Sequence, residues 1–317
     1  MPTTEPDRTS GGDPPEAKPY DFVPLSQRRP VYEPPTGHHR YDRDLMSGTI
    51  EGTIVARSPV HVASGQLELT QTQPPLRKAH FRCQGQLTIP GASLKGTIRS
   101  IVEAISHPAS CLRVTQRRET SPWRACTQPD RLCPACRLFG AMGYLGQVAF
   151  HDAVLIEGES VMIESPPLFR PRPEAPRYQS QDHYRGRKFY KHGELAAGRV
   201  PLEACAPESV FRLRVDFDNL SDAQLGLLLT ALGQGEPGLI PKLGGAKPVC
   251  LGSVAFQVDE LRTLPALQSA LRFDPRPQIL DVAVVAGVTR HIDRAALQTL
   301  AEILQYPGAG SCPAETY

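Results

Sequence analysis

The sequence predicts an α+β fold with the order strand, helix, strands, then strand, helix, strand. Residues 47–63 alternate apolar and polar side chains, as a strand with one buried face does. Residues 91–105 carry apolar side chains at helical spacing. Residues 209–217 alternate again and lead into a capped helix that ends near residue 232. This βαββαβ order is that of the ferredoxin-like or RRM-like fold, here with large insertions.

The remaining segments extend this unit. Residues 147–157 and 254–258 are strand-like and complete the expected sheet, while 281–287 and 294–305 predict a final strand and helix. We predict a disordered tail at 1–19, a single RRM-like domain at 20–307, a cysteine-rich insertion at 107–140, a Pro- and Arg-rich insertion at 166–198, and a loose tail at 308–317.

Composition narrows the function classes. The 317-residue chain has no apolar run of membrane-spanning length and no signal-peptide core, so we expect a soluble, cytoplasmic protein with no membrane partner. Its eight cysteines are dilute and unevenly placed, which argues against a disulfide scaffold. The net charge of +2 excludes a polycation, but 111–137 and 170–191 are locally basic. Such patches suit an anionic polymer, with plain solvated surface as the alternative.

Four of the cysteines crowd into one short segment. Cys133 and Cys136 form a CxxC turn, with Cys126 and Cys111 upstream. Such a turn brings two zinc ligands together at little loop-closure cost, so the pattern predicts a structural zinc knuckle. The alternatives are unpaired thiols and a redox pair, although a thioredoxin-type site needs only two cysteines. Cys111 is the most distant ligand, and His107 is its natural substitute.

A predicted helix start offers an anion site. In the run IPGASLKGTIR, Gly91 and Gly96 permit close backbone approach, while Lys95 and Arg99 lie one turn apart. Amide groups at a helix N-terminus attract phosphate, and a nearby lysine adds charge. The alternative is an ordinary helix start with solvated cations.

A glycine pair predicts a second place where a phosphate could come close to the backbone. Gly244 and Gly245 lie between Lys242 and Lys247, so a phosphate could meet bare backbone with a cation on either side. Most such pairs are only turns.

One segment of the insertion at 166–198 mixes cations with aromatic rings. Cations contact phosphates and aromatic faces stack on bases, so the mixture suits single-stranded nucleic acid. The alternative is a hairpin whose rings face the core. The mixed residues are Tyr184, Arg185, Arg187, Lys188, Phe189, Tyr190 and Lys191.

Catalytic patterns are sparse. The sequence has no GxSxG, HExxH or Walker motif. The one dense titratable group is His38, His39, Asp42 and Asp44, which follows a Pro-rich segment and fits a solvated loop as well as a general acid–base site.

Taken in order, these motifs resemble a known family. The RAMP superfamily of CRISPR-associated proteins is the match, and within it the backbone subunit, of the Cas-seven type, from type III-like or type VII-like effector complexes. The motifs that carry the resemblance are IPGASLKGTIRS (89–100), CPACRLFG (133–140), GQVAFHDA (146–153), GRKFYKHG (186–193) and LGGAKPVCLGSV (243–254).

The resemblance implies a subunit that polymerises along a guide RNA (crRNA) and presents it to target RNA. Its partners would be the guide, the target, further copies of itself, a Cas-five-type cap and a nuclease subunit. The insertion at 166–198 would be the thumb or its base, and the zinc knuckle would brace the insertion after the first helix. The residues expected to contact RNA are Ser93, Lys95, Arg99, Arg137, Arg185, Arg187, Lys188, Tyr190, Lys191, His192, Lys242, Gly244, Gly245 and Lys247.

One departure bears on catalysis. Type III backbone subunits usually cut target RNA with an Asp in the loop between the first strand and the first helix. No Asp occurs from residue 45 to 129, and Glu68 is the sole acid in the 64–90 loop. We therefore expect a non-cleaving scaffold; the alternative is a target-slicing endoribonuclease that uses this loop.

Overall fold

The computed structural model has the α+β architecture that the sequence predicts. No helix among the residues it describes is long and apolar enough to cross a membrane. The described residues are 19–39, 42, 44–71, 75–112, 123–168, 178–180, 183–265 and 276–313.

The secondary structure comprises sixteen strands and five α-helices in the described residues. The helices are α1 (Gly91–Ile105), α2 (Pro134–Phe139), α3 (Asp222–Ala231), α4 (Val282–Ala286) and α5 (Arg294–Ile303). The strands are β1 (Tyr20–Pro24), β2 (Met46–Ala56), β3 (Ala63–Leu69), β4 (Leu76–His80), β5 (Arg82–Cys83), β6 (Gln86–Ile89), β7 (Val148–Phe150), β8 (Ala153–Glu157), β9 (Ser160–Ser165), β10 (Gln179–Ser180), β11 (His183–Tyr184), β12 (Gly186–Tyr190), β13 (Val200–Cys205), β14 (Val210–Leu220), β15 (Val254–Pro265) and β16 (Gln278–Leu280).

The central sheet has the strand order β16-β15-β2-β14-β8-β6-β5, and β7 also pairs with β14. Its four main strands, β15, β2, β14 and β8, are antiparallel neighbours. In chain order, β2, α1, β8, β14, α3 and β15 follow the predicted βαββαβ sequence, with β8 separated from β2 by β14. A second sheet, β3-β4-β13-β9, is formed by the segments between these elements.

Alternation along the central strands decides which face is buried. Ile50 and Ile54 of β2 and Leu213 and Val215 of β14 are fully buried beneath the helices, whereas the residues between them are at least partly exposed. The helix α3 begins at a capping box formed by Ser221 and Gln224. Apart from its first turn α3 is apolar on all sides, and the buried positions around it place it inside the molecule.

Gly91 allows α1 to start against the sheet. A Cβ atom at this position would lie 2.1 Å from the carbonyl oxygen of Phe150, so only glycine fits. The Asp152 carboxylate accepts a 2.7 Å hydrogen bond from the Gly91 amide and satisfies one free donor of the helix end. The N-terminus of α1 is therefore positioned by contacts with the end of β7 and with Asp152.

The segment 281–287 is helical, so the predicted strand there is wrong. Asp281 caps α4 by accepting hydrogen bonds from the amides of Ala283 and Val284. Valine favours strands, but the cap and the packing of α4 against α3 outweigh that weak local preference.

Both ends of the described chain are tied to the body. Strand β1 pairs with β12, in the insertion predicted as the thumb, and Glu33 forms a bridge with Leu132 next to the cysteine cluster. At the other end, Cys312 is buried and disulfide-bonded to Cys250, so the predicted loose tail is anchored through this point. The sequence could not pair these two cysteines because 62 residues separate them. The predicted tail at 1–19 lies outside the described residues except for its last position.

Candidate nucleic-acid interface and metal centre

A groove of about 580 Å³ lies between α1, β12, the glycine-rich loop (residues 241–252) and the end of α5. One wall is a face of α1 with small side chains, including Gly96, Thr97 and Ser100. Five separate stretches of the sequence line the groove: 62–63, 92–101, 188–190, 241–247 and residue 304. The predicted RNA-contacting residues that line the groove are Ser93, Lys188, Tyr190, Lys242, Gly244, Gly245 and Lys247.

The two lysines of the glycine-rich loop have different environments. The Lys242 Nζ atom is buried and donates hydrogen bonds to the carbonyl oxygens of Cys250 and Leu251, at 2.8 and 3.2 Å. Burial, with the nearby charge of Lys247, lowers the pKa of Lys242 to about 7. Burial also lowers the pKa of Lys247, whose ammonium group has no hydrogen-bond or ion-pair partner among the described residues. Lys242 therefore holds the loop together, and Lys247 is the cation available to an anion in the groove.

The glycine pair is needed by the fold as well as by the groove. Gly244 has φ of +81°, and a Cβ atom there would lie 2.3 Å from the carbonyl oxygen of His61. The Gly245 amide donates a 2.8 Å hydrogen bond to that same oxygen. The loop is thus pressed onto the chain that follows β2, and its bare backbone forms part of the groove.

Lys188 lies among three tyrosine rings at one side of the groove. Its Nζ atom is 4.0, 4.4 and 5.1 Å from the ring centroids of Tyr20, Tyr190 and Tyr178. The three rings are half-buried. They are therefore neither fully open to nucleic acid nor packed in the core, which were the two alternatives that the sequence left. Tyr20 comes from β1, directly opposite Tyr190 in the β1–β12 register. Sequence reasoning missed Tyr20 and Tyr178 because only strand pairing brings them here.

The remaining predicted RNA residues outside the metal centre are spread around this groove. Lys95 is half-buried without an ion-pair partner among the described residues, and burial and then Arg99 lower its pKa. Arg185 is exposed, and Lys191 forms an exposed ion pair with Asp21 at 3.3 Å. His192 is an interior residue: its ring contacts the Ser253 hydroxyl and the Ile240 carbonyl oxygen, and burial lowers its pKa to about 4.

The four cysteines of the predicted knuckle form one compact group. Their Sγ atoms all lie within 4.8 Å of one another, and the fourth member of the group is Cys111, not His107. Cys133 is the N-cap of α2, with Pro134 in the first helical position, and Cys136 follows one turn later. Hydrogen bonds from the thiols of Cys111, Cys126 and Cys136 hold the pKa of Cys133 far below its ordinary value.

The surroundings of this group fit a zinc tetrathiolate. Four soft donors at one point match the ligand preference of Zn²⁺, and thiolates in a protein interior need N–H donors around them. The Cys133 amide donates to the Sγ atom of Cys126 at 3.3 Å, and the Arg99 guanidinium donates to the Sγ atom of Cys136 at 3.1 Å. Bound zinc would cross-link Cys111 and Cys126 to α2 within the insertion; its contribution is structural, because all four coordination positions would be filled by protein.

Three arginines predicted to contact RNA lie beside this metal centre. Arg99 and Arg187 both pair with Glu103, at 2.8 and 2.9 Å, and Arg137 pairs with Glu33. All three side chains are largely buried. Sequence reasoning did not single out Glu103, although its position four residues after Arg99 on a helix is the usual spacing of an ion pair.

The 64–90 loop considered for RNA cleavage contains two antiparallel strand pairs in its described residues, β3–β4 and β5–β6. Its one acid, Glu68, accepts hydrogen bonds from Arg77 at 2.7 and 3.0 Å. Of the other titratable group, His38 contacts the Leu145 carbonyl oxygen at 3.0 Å, and the Asp42 carboxylate accepts from the Asp44 amide. The carboxylates of Glu68 and Asp42 therefore each have a structural partner in the described residues.

The sheet face opposite the helices differs from an aromatic RNA platform. Glu51 in β2 lies 3.8 Å from Arg214 and 3.5 Å from Arg262, and Asp216 contacts His151 at 2.6 Å. The phenylalanines of the central strands β14 and β15 are buried on the helix side. Charges of both signs already pair on this face, so the groove is the better candidate interface.

Comparison with known proteins supports the family resemblance. A search of curated proteins finds no match to the chain. The family model of the RAMP superfamily matches residues 53–254, which include the end of β2, α1, the cysteine cluster, β12 and the glycine-rich loop. The match covers more than half of the chain, and the chain belongs to the RAMP superfamily.

Proposed function

We propose that this protein is a crRNA-binding backbone subunit of a CRISPR ribonucleoprotein, working in the cytoplasm as a repeated copy along the guide. The observation that carries the proposal is the groove, where Lys247, the Gly244–Gly245 backbone and the Lys188 tyrosine cluster come together. A free cation and backbone without side chains suit phosphates, while aromatic faces suit unstacked bases.

In this proposal different groove residues contact the phosphates and the bases of the RNA. Lys247, Ser93 and the Gly244–Gly245 backbone hold the sugar–phosphate chain, and Tyr190 with Tyr20 stacks on a base. Lys95, Arg185 and Lys191 add positive charge around the groove, where their side chains are at least partly exposed. Arg99, Arg137 and Arg187 support the site from the metal centre, since their charges are already paired with glutamates.

The other members of the proposed assembly follow from the family. The insertion at 166–198 serves as the thumb that interrupts the guide–target duplex, with target RNA paired to the guide. Further copies of the chain, a Cas-five-type cap and a separate nuclease subunit complete the particle. Structural zinc at Cys111, Cys126, Cys133 and Cys136 supports the proposal, because it stiffens the insertion that abuts α1.

RNA binding tests the proposal directly. The metal-loaded protein is titrated with its repeat-derived guide RNA at several salt concentrations. Lys247→Ala should weaken binding about tenfold and lower the salt dependence by about one phosphate contact. The matched control is Arg290→Ala, which removes an exposed cation paired with Asp222 outside the groove and should leave affinity unchanged. Absence of RNA affinity in the unmodified protein at moderate salt contradicts the proposal.

The proposal includes no cleavage by this chain. Guide-loaded complex is incubated with labelled target RNA, with Glu68→Ala, Asp42→Ala and Asp44→Ala variants in parallel. We expect no cuts without the nuclease subunit. Regularly spaced cuts that one of these substitutions abolishes would establish the slicing endoribonuclease instead.

A further inference from the structure

Glu103 joins two buried arginines by its two carboxylate oxygens. Its Oε1 atom accepts from Arg99 Nε at 2.8 Å, and its Oε2 atom accepts from Arg187 Nη1 at 2.9 Å. The three side chains are only 10 to 12% exposed. Arg99 belongs to α1 and Arg187 to β12, so the carboxylate fixes the distance between these two elements.

Both guanidinium groups also reach the cysteine cluster. Arg99 donates to the Sγ atom of Cys136 at 3.1 Å and to the Gly140 carbonyl oxygen at 2.8 Å. Arg187 donates to the carbonyl oxygen of Cys111 at 2.7 Å. Cys111 and Cys136 are the first and last members of the metal-binding group in the sequence. The two arginines therefore contact the first and the last cysteine of the metal-binding group.

The same two elements form facing walls of the groove. On β12 side chains alternate, so Arg187 points to Glu103 while the next residue, Lys188, reaches the groove and the tyrosines. On α1, Arg99 is flanked by Ile98 in the core and Ser100 in the groove wall. A shift of either arginine would move one wall relative to the other.

We propose that Glu103, Arg99 and Arg187 are positioning residues that couple the metal centre to the width of the RNA groove, so that loss of metal weakens guide binding. This inference rests on the proposed function. Glu103 is the centre of the coupling because it contacts both arginines. Without its charge, two buried guanidinium groups lose their carboxylate partner and α1 is no longer held to β12. RNA affinity then depends on the metal through a contact that touches neither metal nor RNA.

A thermodynamic cycle tests the coupling. Affinity for the repeat-derived guide RNA is measured for the unmodified protein and Glu103→Gln, each with zinc and after removal of zinc by a chelator. We expect zinc removal to weaken binding about tenfold in the unmodified protein. With zinc present, Glu103→Gln should bind the RNA about tenfold more weakly than the unmodified protein does. Removal of zinc should then weaken RNA binding by Glu103→Gln by less than about threefold.

The control variant is Lys188→Met, which changes a groove cation but none of the three positioning residues. It should bind RNA more weakly and keep the full zinc dependence. Equal zinc effects in the unmodified protein and Glu103→Gln would overturn the inference while RNA binding itself survived. Failure of the zinc-loaded, unmodified protein to bind RNA would instead refute the proposed function.

Two readouts keep the test decisive if the zinc-free protein unfolds. The absorption bands of the cobalt-substituted protein should be the same for Glu103→Gln as for the unmodified protein, because the four thiolates are unchanged. Amide hydrogen exchange in β12 should be faster in Glu103→Gln, with Arg187→Lys intermediate. Unchanged exchange in β12 would overturn the inference.

Discussion

Arg82 holds the carboxylate of Glu203 by two parallel hydrogen bonds of 2.7 Å each. Glu203 is almost fully buried in β13, and its carboxylate also accepts from the His80 amide at 3.0 Å. Burial alone would raise the pKa of Glu203, but the hydrogen bonds from Arg82 and the His80 amide, with the charges of Arg82 and Arg77, lower it to about 2. This pair fastens the segment before α1 to the second sheet.

The first prediction concerns the pH dependence of stability. Because the pKa of Glu203 falls from 4.5 to about 2 on folding, its stabilising contribution is present above pH 4.5 and is lost as the pH drops towards 2. Arg82→Ala should lower the free energy of unfolding at pH 7 by about 3 kcal/mol, since it leaves a buried carboxylate without its partner. Urea unfolding between pH 7 and pH 2 measures both effects.

The control for this pair is Arg57→Ala. Arg57 also forms a two-bonded pair, with Glu208, but that carboxylate is mostly exposed. Solvent screens the exposed pair, so its loss should cost less than about 1 kcal/mol. If the two substitutions lowered the free energy of unfolding equally, burial would not be the reason that the Arg82–Glu203 pair stabilises the protein.

The second prediction concerns the metal. Elemental analysis should find about one zinc per chain, since four thiolates form one tetrahedral site. Cys133→Ser should abolish stoichiometric zinc and lower the unfolding midpoint strongly, because metal binding and folding are linked. Cys83→Ser is the matched control: this thiol is exposed and outside the cluster, so zinc content and stability should not change. A zinc-free protein of full stability would refute the site.

The third prediction concerns base stacking. Tyr190→Ala should weaken guide-RNA binding by about 1–3 kcal/mol, because it removes one aromatic face. Tyr190→Phe keeps the ring and should bind nearly normally. Fluorescence anisotropy with a labelled RNA of the repeat sequence gives both values. If the two variants bind equally well, the ring of Tyr190 does not stack on a base.

The fourth prediction uses two glycines of the groove. Gly244→Ala should destabilise the protein by more than about 1 kcal/mol, because its φ is +81° and the new methyl group would meet the His61 carbonyl oxygen. Gly96→Ala should stabilise it by about 1 kcal/mol, since Gly96 is inside α1 and a Cβ atom there meets nothing within 4 Å. Thermal unfolding separates the two, and the same sign for both would contradict the local geometry.

Local patterns predicted a large part of the fold. Alternation marked β2 and β14, helical spacing marked α1, and the Ser221 cap marked α3. The crowding of four cysteines between residues 111 and 136 predicted the group that the structure brings together, and the CxxC turn supplied two of its members at little entropic cost. The valine-rich α4 was mistaken for a strand, since local preference and tertiary packing disagree there.

For the groove, sequence motifs predicted some of the lining residues but not which cations face it. The motifs named Lys188, Tyr190 and Lys247, which line it. They also named Arg99 and Arg187, whose charges pair with Glu103 beside the metal centre. The spacing of four residues indicates Glu103 as a partner of Arg99, but only the packing of β12 against α1 makes Glu103 the partner of Arg187.

The sequence by itself determined the α+β class, the cysteine cluster and the motifs of the RAMP superfamily, because each depends on residues close together in the chain. Only the tertiary structure decided that Tyr20 lies opposite Tyr190 and that Cys250 bonds to Cys312. It also decided which arginines point to the metal centre and which lysine is left for an anion. These contacts join residues that are far apart in sequence, and the burial that fixes each charge exists only once the chain is packed.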